Sequence, residues 1–122
     1  MASLSIRLDL DAGIRVGPGK IRLLEAIAAH GSISAAGRAL GMSYRRAWLL
    51  VDELNGAFAE PVVAGRAGGR SGGGAAVTPF GERLIACYRG IERDAAQAAR
   101  ERLAGLADAL APARVPPGPR MP

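Results

Sequence analysis

Hydrophobic and polar positions alternate near the start of the chain: Leu4, Ile6, Leu8 and Leu10 fall on one face, Ser5, Arg7 and Asp9 on the other. That period of two predicts a half-buried leading strand. After Gly13 and Gly17 the period lengthens to that of a helix. Pro18 suits a first turn, Ile21, Leu24, Ile27 and Ala28 form the apolar side, and Gly31 is placed for a left-handed C-cap. His30, at that helix's C-terminus, has a sufficient explanation in the helix dipole and the last carbonyls. A short second helix follows, capped by Ser32 or Ser34 and carrying Ile33, Ala36, Ala39 and Leu40, until Gly41-Met42-Ser43 interrupts it. Ser43 is the natural cap of a third helix whose buried stripe is Ala47, Val51, Leu54 and Phe58. Two helices joined by a short turn containing glycine are a helix-turn-helix signature, with small Ala35 and Ala36 permitting close packing of the pair.

From Pro61 the texture changes. Val62-Val63-Ala64 and Ala75-Ala76-Val77 flank a Gly-rich basic stretch over 65–74, which predicts a β-hairpin with a basic tip. A phosphate-cradling loop is the rival reading of those glycines, but the Lys-Ser/Thr pair it needs is missing. Thr78-Pro79 then starts a fourth helix, as cap and first position. Along it Phe80, Leu84, Tyr88, Ile91, Ala95, Ala99, Leu103, Leu106 and Leu110 recur at steps of three or four. A stripe this long exceeds what one small domain covers, so Leu84, Tyr88, Ile91, Ala95, Leu103, Leu106 and Leu110 are expected on a subunit interface made with the same helix of a second copy. A helix folded back on its own domain is the alternative, given the alanines, Gly90 and Gly105. The predicted organisation is a winged helix-turn-helix domain over 1–79, a dimerisation helix over 79–110 and a Pro-rich disordered tail over 111–122. The fold class is mainly α with a small β-hairpin, an N-terminal strand and a long C-terminal helix.

Composition narrows the function. At 122 residues the chain has room for one globular domain. One cysteine, Cys87, and one histidine supply neither a disulfide framework nor an all-protein His/Cys zinc site, so no metal and no cofactor is expected. Cys87 lies near the apolar stripe and is expected to pack as a small hydrophobe. No leader pattern or membrane-length apolar run is present, so a cytoplasmic protein without a membrane partner is expected.

The net charge of +5 is localised. No Asp or Glu occurs in 26–51 or 61–81, and Arg38, Arg45, Arg46, Arg66 and Arg70 lie there. A face of this kind suits a polyanion, because each neutralised phosphate releases a condensed counterion. An Arg-rich solvated surface accounts for the charge alone equally well. On a helical wheel, Arg45, Arg46 and Leu49 point away from the buried stripe of the third helix, with Tyr44 and Trp48 at its edge. The exposed N-terminal part of such a helix enters the major groove. There Arg45 and Arg46 can read guanine or clamp phosphate, and Leu49 can touch a thymine methyl or pack under a loop. Arg66 and Arg70 in the hairpin tip suit phosphate or a minor groove. Ser32 and Ser43 can donate to phosphate from helix N-termini, although capping alone explains them.

These residues also resemble a family. Gly-Ser-Ile-Ser-Ala-Ala at 31–36, Gly-Met-Ser-Tyr-Arg-Arg-Ala-Trp at 41–48, Glu-Leu-Asn at 53–55 and the Gly-rich run from Gly65 to Thr78 are similar to the DNA-binding domain of ModE-type, molybdate-responsive repressors. The similarity covers about residues 4–106. LysR-type regulators share the Gly-Ser-Ile-Ser-like opening but usually have another recognition helix and a longer chain. The resemblance implies a homodimer in which Ser43, Tyr44, Arg45 and Arg46 face double-stranded DNA, flanked by the wing residues Arg66, Arg70 and Ser71. It also implies a link to molybdate transport or molybdenum metabolism. Repressors of this type carry β-barrel molybdate-binding domains, for which nothing after Leu110 provides, so molybdate binding by this chain alone is not expected. A winged helix serving as a protein-interaction module is the alternative function. It calls for an apolar rather than basic exposed helix face and for salt-insensitive DNA binding. An enzyme would need convergent acids, bases or nucleophiles, for which the sequence gives little support.

Overall fold

Pro18 occupies the first turn of helix α1 (Pro18–His30), and Gly31 ends it at φ 79°. Only glycine takes that left-handed conformation without strain. The computed structural model describes residues 2–66 and 73–112. Ile21, Leu23, Leu24 and Ile27 of α1 are fully buried and form the centre of the core, whereas Ala28, expected on that face, is exposed. Ser32 rather than Ser34 caps α2 (Ile33–Ala39), its Oγ accepting from the Ala35 N–H at 3.0 Å. Ser34 instead accepts from Arg38 at 2.8 Å.

The second cap is equally local. Ser43 Oγ accepts from the Arg46 N–H at 3.1 Å and opens α3 (Tyr44–Ala57). Close approach of α2 and α3 rests on Gly37 together with Ala36. A Cβ added to Gly37 would lie 3.2 Å from Ala47 Cβ and 3.3 Å from the Met42 carbonyl oxygen. Ala47, Val51 and Leu54 are buried and Phe58 is half-buried, packing on Phe80 with ring centroids 5.2 Å apart.

The wing is an antiparallel pair, β3 (Val63–Arg66) and β4 (Gly74–Val77), in register from Val63 opposite Val77 to Arg66 opposite Gly74. The leading strand is shorter than its alternation suggests. Only β1 (Leu8–Asp9) pairs, with β2 (Arg15–Val16), across a turn in which Ala12 takes φ 63°. Leu4, Ile6 and Leu8 are half-buried between exposed neighbours, so the alternation reported sidedness correctly without a partner strand for 4–7. Leu10 is exposed.

Thr78 caps α4 (Pro79–Ala98), and α5 (Arg100–Asp108) follows, where the sequence pattern suggests one helix to about Leu110. The interruption at Ala99 (φ −92°, ψ −1°) is local, because the Ala99 N–H still reaches the Ala95 carbonyl and the Leu103 N–H the Ala99 carbonyl, both at 2.9 Å. Two residues expected on a subunit interface belong to this chain's own core: Leu84 is buried and Tyr88 is fully buried. The Tyr88 hydroxyl donates to the Ile6 carbonyl at 2.7 Å, so the N-terminal segment covers that part of α4. Cys87, expected to pack, is exposed instead. Arg89 ties α4 to α1 through two bonds to Glu25, at 2.8 and 3.1 Å, and within α4 it also donates to Glu92 at 2.8 Å. Those two carboxylates hold its guanidinium pKa above the ordinary value. The proposed tail from residue 113 onward lies outside the described residues.

A candidate nucleic-acid interface

Capping by Ser43 sets the first turn of α3 so that Tyr44, Arg45 and Arg46 all project into solvent, while Ala47 anchors the helix against Gly37. Leu49 is 46% exposed, Trp48 45% and Tyr44 57%. Trp48 and Tyr44 therefore belong to the presented surface rather than to the edge of the buried stripe. Ser43, Arg45, Arg46 and Leu49 line one shallow recess, together with Leu50 and Glu53. Glu53 is paired with Lys20 of α1, so the acidic end of α3 is tied back toward the body of the domain. Among the described residues, no carboxylate lies within 4.0 Å of Arg45, Arg46 or Arg66. Their charges are available to an external anion.

The wing is held at three points. Asn55, on α3, accepts from the N–H groups of Val62 and Val63 at 2.8 and 3.1 Å and donates to the Val63 carbonyl at 3.0 Å. At the other strand's root, Thr78 Oγ1 donates to the Pro61 carbonyl at 2.7 Å and accepts from the Gly81 N–H at 2.9 Å. Nearer the tip, the Ala75 N–H donates to the Gly31 carbonyl at 2.9 Å. Arg66 reaches the same turn, with Nη2 3.2 Å from where a Gly31 side chain would begin. The structure thus brings Arg66 beside the α1–α2 turn and the Ser32 cap, while Ser43 to Leu49 form the presented end of α3. Arg70 and Ser71 lie outside the described residues.

The sequence pattern assigns no role to Asn55, although a side-chain amide can satisfy both an N–H and a carbonyl of an unpaired strand end. The available signal was its place in the third helix, one turn past the buried Val51 and shortly before the wing. Ile91, Leu106 and Leu110 of the late stripe are exposed, and Ala95 and Leu103 are partly so. Leu4, Ala96, Leu103, Ala104 and Ala107 line an apolar groove of about 660 Å³ between the N-terminal segment and α4–α5. Among the described residues, no group of three or more His, Cys, Asp or Glu side chains could hold a metal ion, and no helix is long and apolar enough to cross a membrane.

A helix-turn-helix whose second helix presents its cap and two unpaired arginines, flanked by an antiparallel hairpin, defines a winged helix-turn-helix protein. The chain belongs to the bacterial regulatory helix-turn-helix proteins of the lysR family, whose model matches residues 19–82. It is 49% identical over 85 residues to the molybdenum-pterin-binding protein MopB of Rhodobacter capsulatus and 45% identical over 85 residues to the molybdenum transport protein ModE of Azotobacter vinelandii. Each of these matches covers 70% of this chain and 32% of the relative. It is 38% identical over 87 residues to the DNA-binding transcriptional dual regulator ModE of Escherichia coli, covering 71% of this chain and 33% of the relative. The chain thus spans about a third of the length of these relatives. The matched stretch is long enough to contain the helix-turn-helix and the wing.

Proposed function

We propose that this chain is a ModE-type transcription regulator that binds double-stranded DNA in a sequence-specific manner as a cytoplasmic homodimer, with a link to molybdenum metabolism. The observation that carries the DNA reading is the acid-free, cap-anchored end of α3, where Arg45 and Arg46 are exposed without carboxylate partners among the described residues. The exposed face is mixed, since Tyr44, Trp48 and Leu49 accompany the arginines. A protein-interaction module would use the apolar part alone, and the regulatory relatives favour DNA. Arg66, and Arg70 four residues on in sequence, supply affinity from the wing, while Arg45 and Arg46 supply selectivity. The link to molybdenum rests on the relatives' names. A regulatory rather than catalytic role accords with the family.

Salt dependence tests this reading. Log affinity falls steeply with log salt, and Arg66→Ala combined with Arg70→Ala flattens the slope by about 0.9 for each phosphate that is no longer neutralised. Arg45→Ala or Arg46→Ala costs about 1–3 kcal/mol on a duplex selected by the protein and much less on random DNA. Binding that ignores salt, or equal losses on both duplexes, would contradict the assignment.

The dimer reading draws support from Ile91 on α4, Leu106 on α5 and Leu110 just beyond it, which are left exposed by this chain's described residues. A second copy of α4–α5 is the occupant of matching chemistry.

A further inference from the structure

Trp48 is the fifth residue of α3, and its neighbour Ala47 is fully buried against Gly37. One residue further round the helix, the Trp48 side chain leaves that contact and stands 45% exposed. Tyr44 lies one turn before it and Leu49 directly after it, both exposed. Three large apolar side chains in the first half of one helix, interleaved with Arg45 and Arg46, expose apolar surface that folding gains nothing by exposing. A purely phosphate-binding face has no use for them. Phosphate oxygens take cations and hydrogen-bond donors, and offer no apolar partner.

The major groove offers both chemistries at once. Phosphates line its rim, and each thymine presents a C5 methyl group on its floor, the one apolar feature among the base edges there. We infer that the Trp48 indole packs against a thymine methyl in each half-site and is a specificity-determining group alongside the arginines. This inference rests on the DNA-binding reading of the same face. An acidic protein partner would suit the arginines as well, but it would not make affinity depend on the methyl group of a pyrimidine. Burial of one methyl group is worth about a four-fold change in affinity.

The chain has one tryptophan, so its emission reports on this side chain alone. The full chain first selects duplexes from a random-sequence library, and a fluorescein-labelled duplex so obtained is titrated while Trp48 emission and DNA anisotropy are recorded together. A set of duplexes then replaces each thymine singly with deoxyuridine, which removes the methyl group and nothing else. The expected result is a change in Trp48 emission at saturation and one position per half-site where deoxyuridine weakens wild-type binding about four-fold. At that position Trp48→Phe, which keeps an aromatic face, retains the discrimination, and Trp48→Ala binds both duplexes equally. Unchanged emission under anisotropy-detected binding would overturn the role of Trp48 and leave DNA binding intact. So would deoxyuridine sensitivity that persists in a folded Trp48→Ala variant. If no duplex is enriched by selection, the DNA-binding reading itself fails and this inference fails with it.

Discussion

Gly81 occupies a position at which no other residue fits. It lies in the first turn of α4, and a Cβ there would fall 2.3 Å from the Val62 carbonyl oxygen and 2.6 Å from Val77 Cγ1. Both atoms belong to the root of the wing, and one of them is backbone, so relief requires the helix and the hairpin to separate. Gly81→Ala therefore destabilises the domain by about 1–3 kcal/mol, read as a lower urea midpoint. The surviving folded fraction also loses the wing's share of the salt dependence of DNA binding. An unchanged midpoint would show that the wing root yields freely. Gly37 and Asn55 act on the same principle of contact at short range. Gly37 sets how closely α2 and α3 approach, and the Asn55 amide sets where the wing leaves α3. Gly37 sits in the turn-helix pattern, but its neighbours Ala35 and Ala36 carry the same small-residue signal. Nothing in the sequence alone separates the three.

At the scale of elements, α4 is where one chemical pattern covers two uses. Its first half turns Leu84 and Tyr88 into the core, and its second half carries Ile91 and Ala95 onward toward α5. Periodicity marks both halves identically, because it reports which face is apolar and not what covers that face. Cover for Tyr88 comes from the N-terminal segment, 82 residues away, whose Ile6 carbonyl takes the tyrosine hydroxyl. Burial, and to a lesser degree the carboxylate of Glu92, raise the Tyr88 pKa above its ordinary value of 10.0, against the opposing charges of Arg89 and Arg22. The folded state therefore holds this proton more tightly than the unfolded chain does. Its contribution to stability is complete below pH 10 and is lost as pH rises through the higher folded value. Thermal unfolding midpoints should fall above pH 10, and Tyr88→Phe should lose about 1 kcal/mol at neutral pH while abolishing that alkaline component. An alkaline decline of the same size in Tyr88→Phe would place its origin in another group.

For the whole molecule, the interruption at Ala99 supplies a boundary for testing the proposed subunit interface. Residues up to Ala98 include every buried core residue among those described, whereas α5 contributes none. A chain ending at Ala98 should fold, sediment as a monomer at micromolar concentration and bind its selected duplex far more weakly than the full chain. Two winged helices held together can address half-sites one turn of DNA apart or a multiple of it, and one alone cannot. A shortened chain that still dimerises and binds as tightly would assign α5 another use. The sequence by itself determined the features whose causes are local. The caps at Ser43 and Thr78, the glycine stop at Gly31, the buried stripe of α3 and the hairpin strands all depend on residues within a few positions of one another. Only the tertiary structure decided that Tyr88 faces inward, that Cys87 faces outward, that the leading strand shortens to Leu8–Asp9 and that Trp48 joins the presented face. Each of these depends on which distant segment covers a surface, and a periodic pattern along the chain carries no record of what lies across from it.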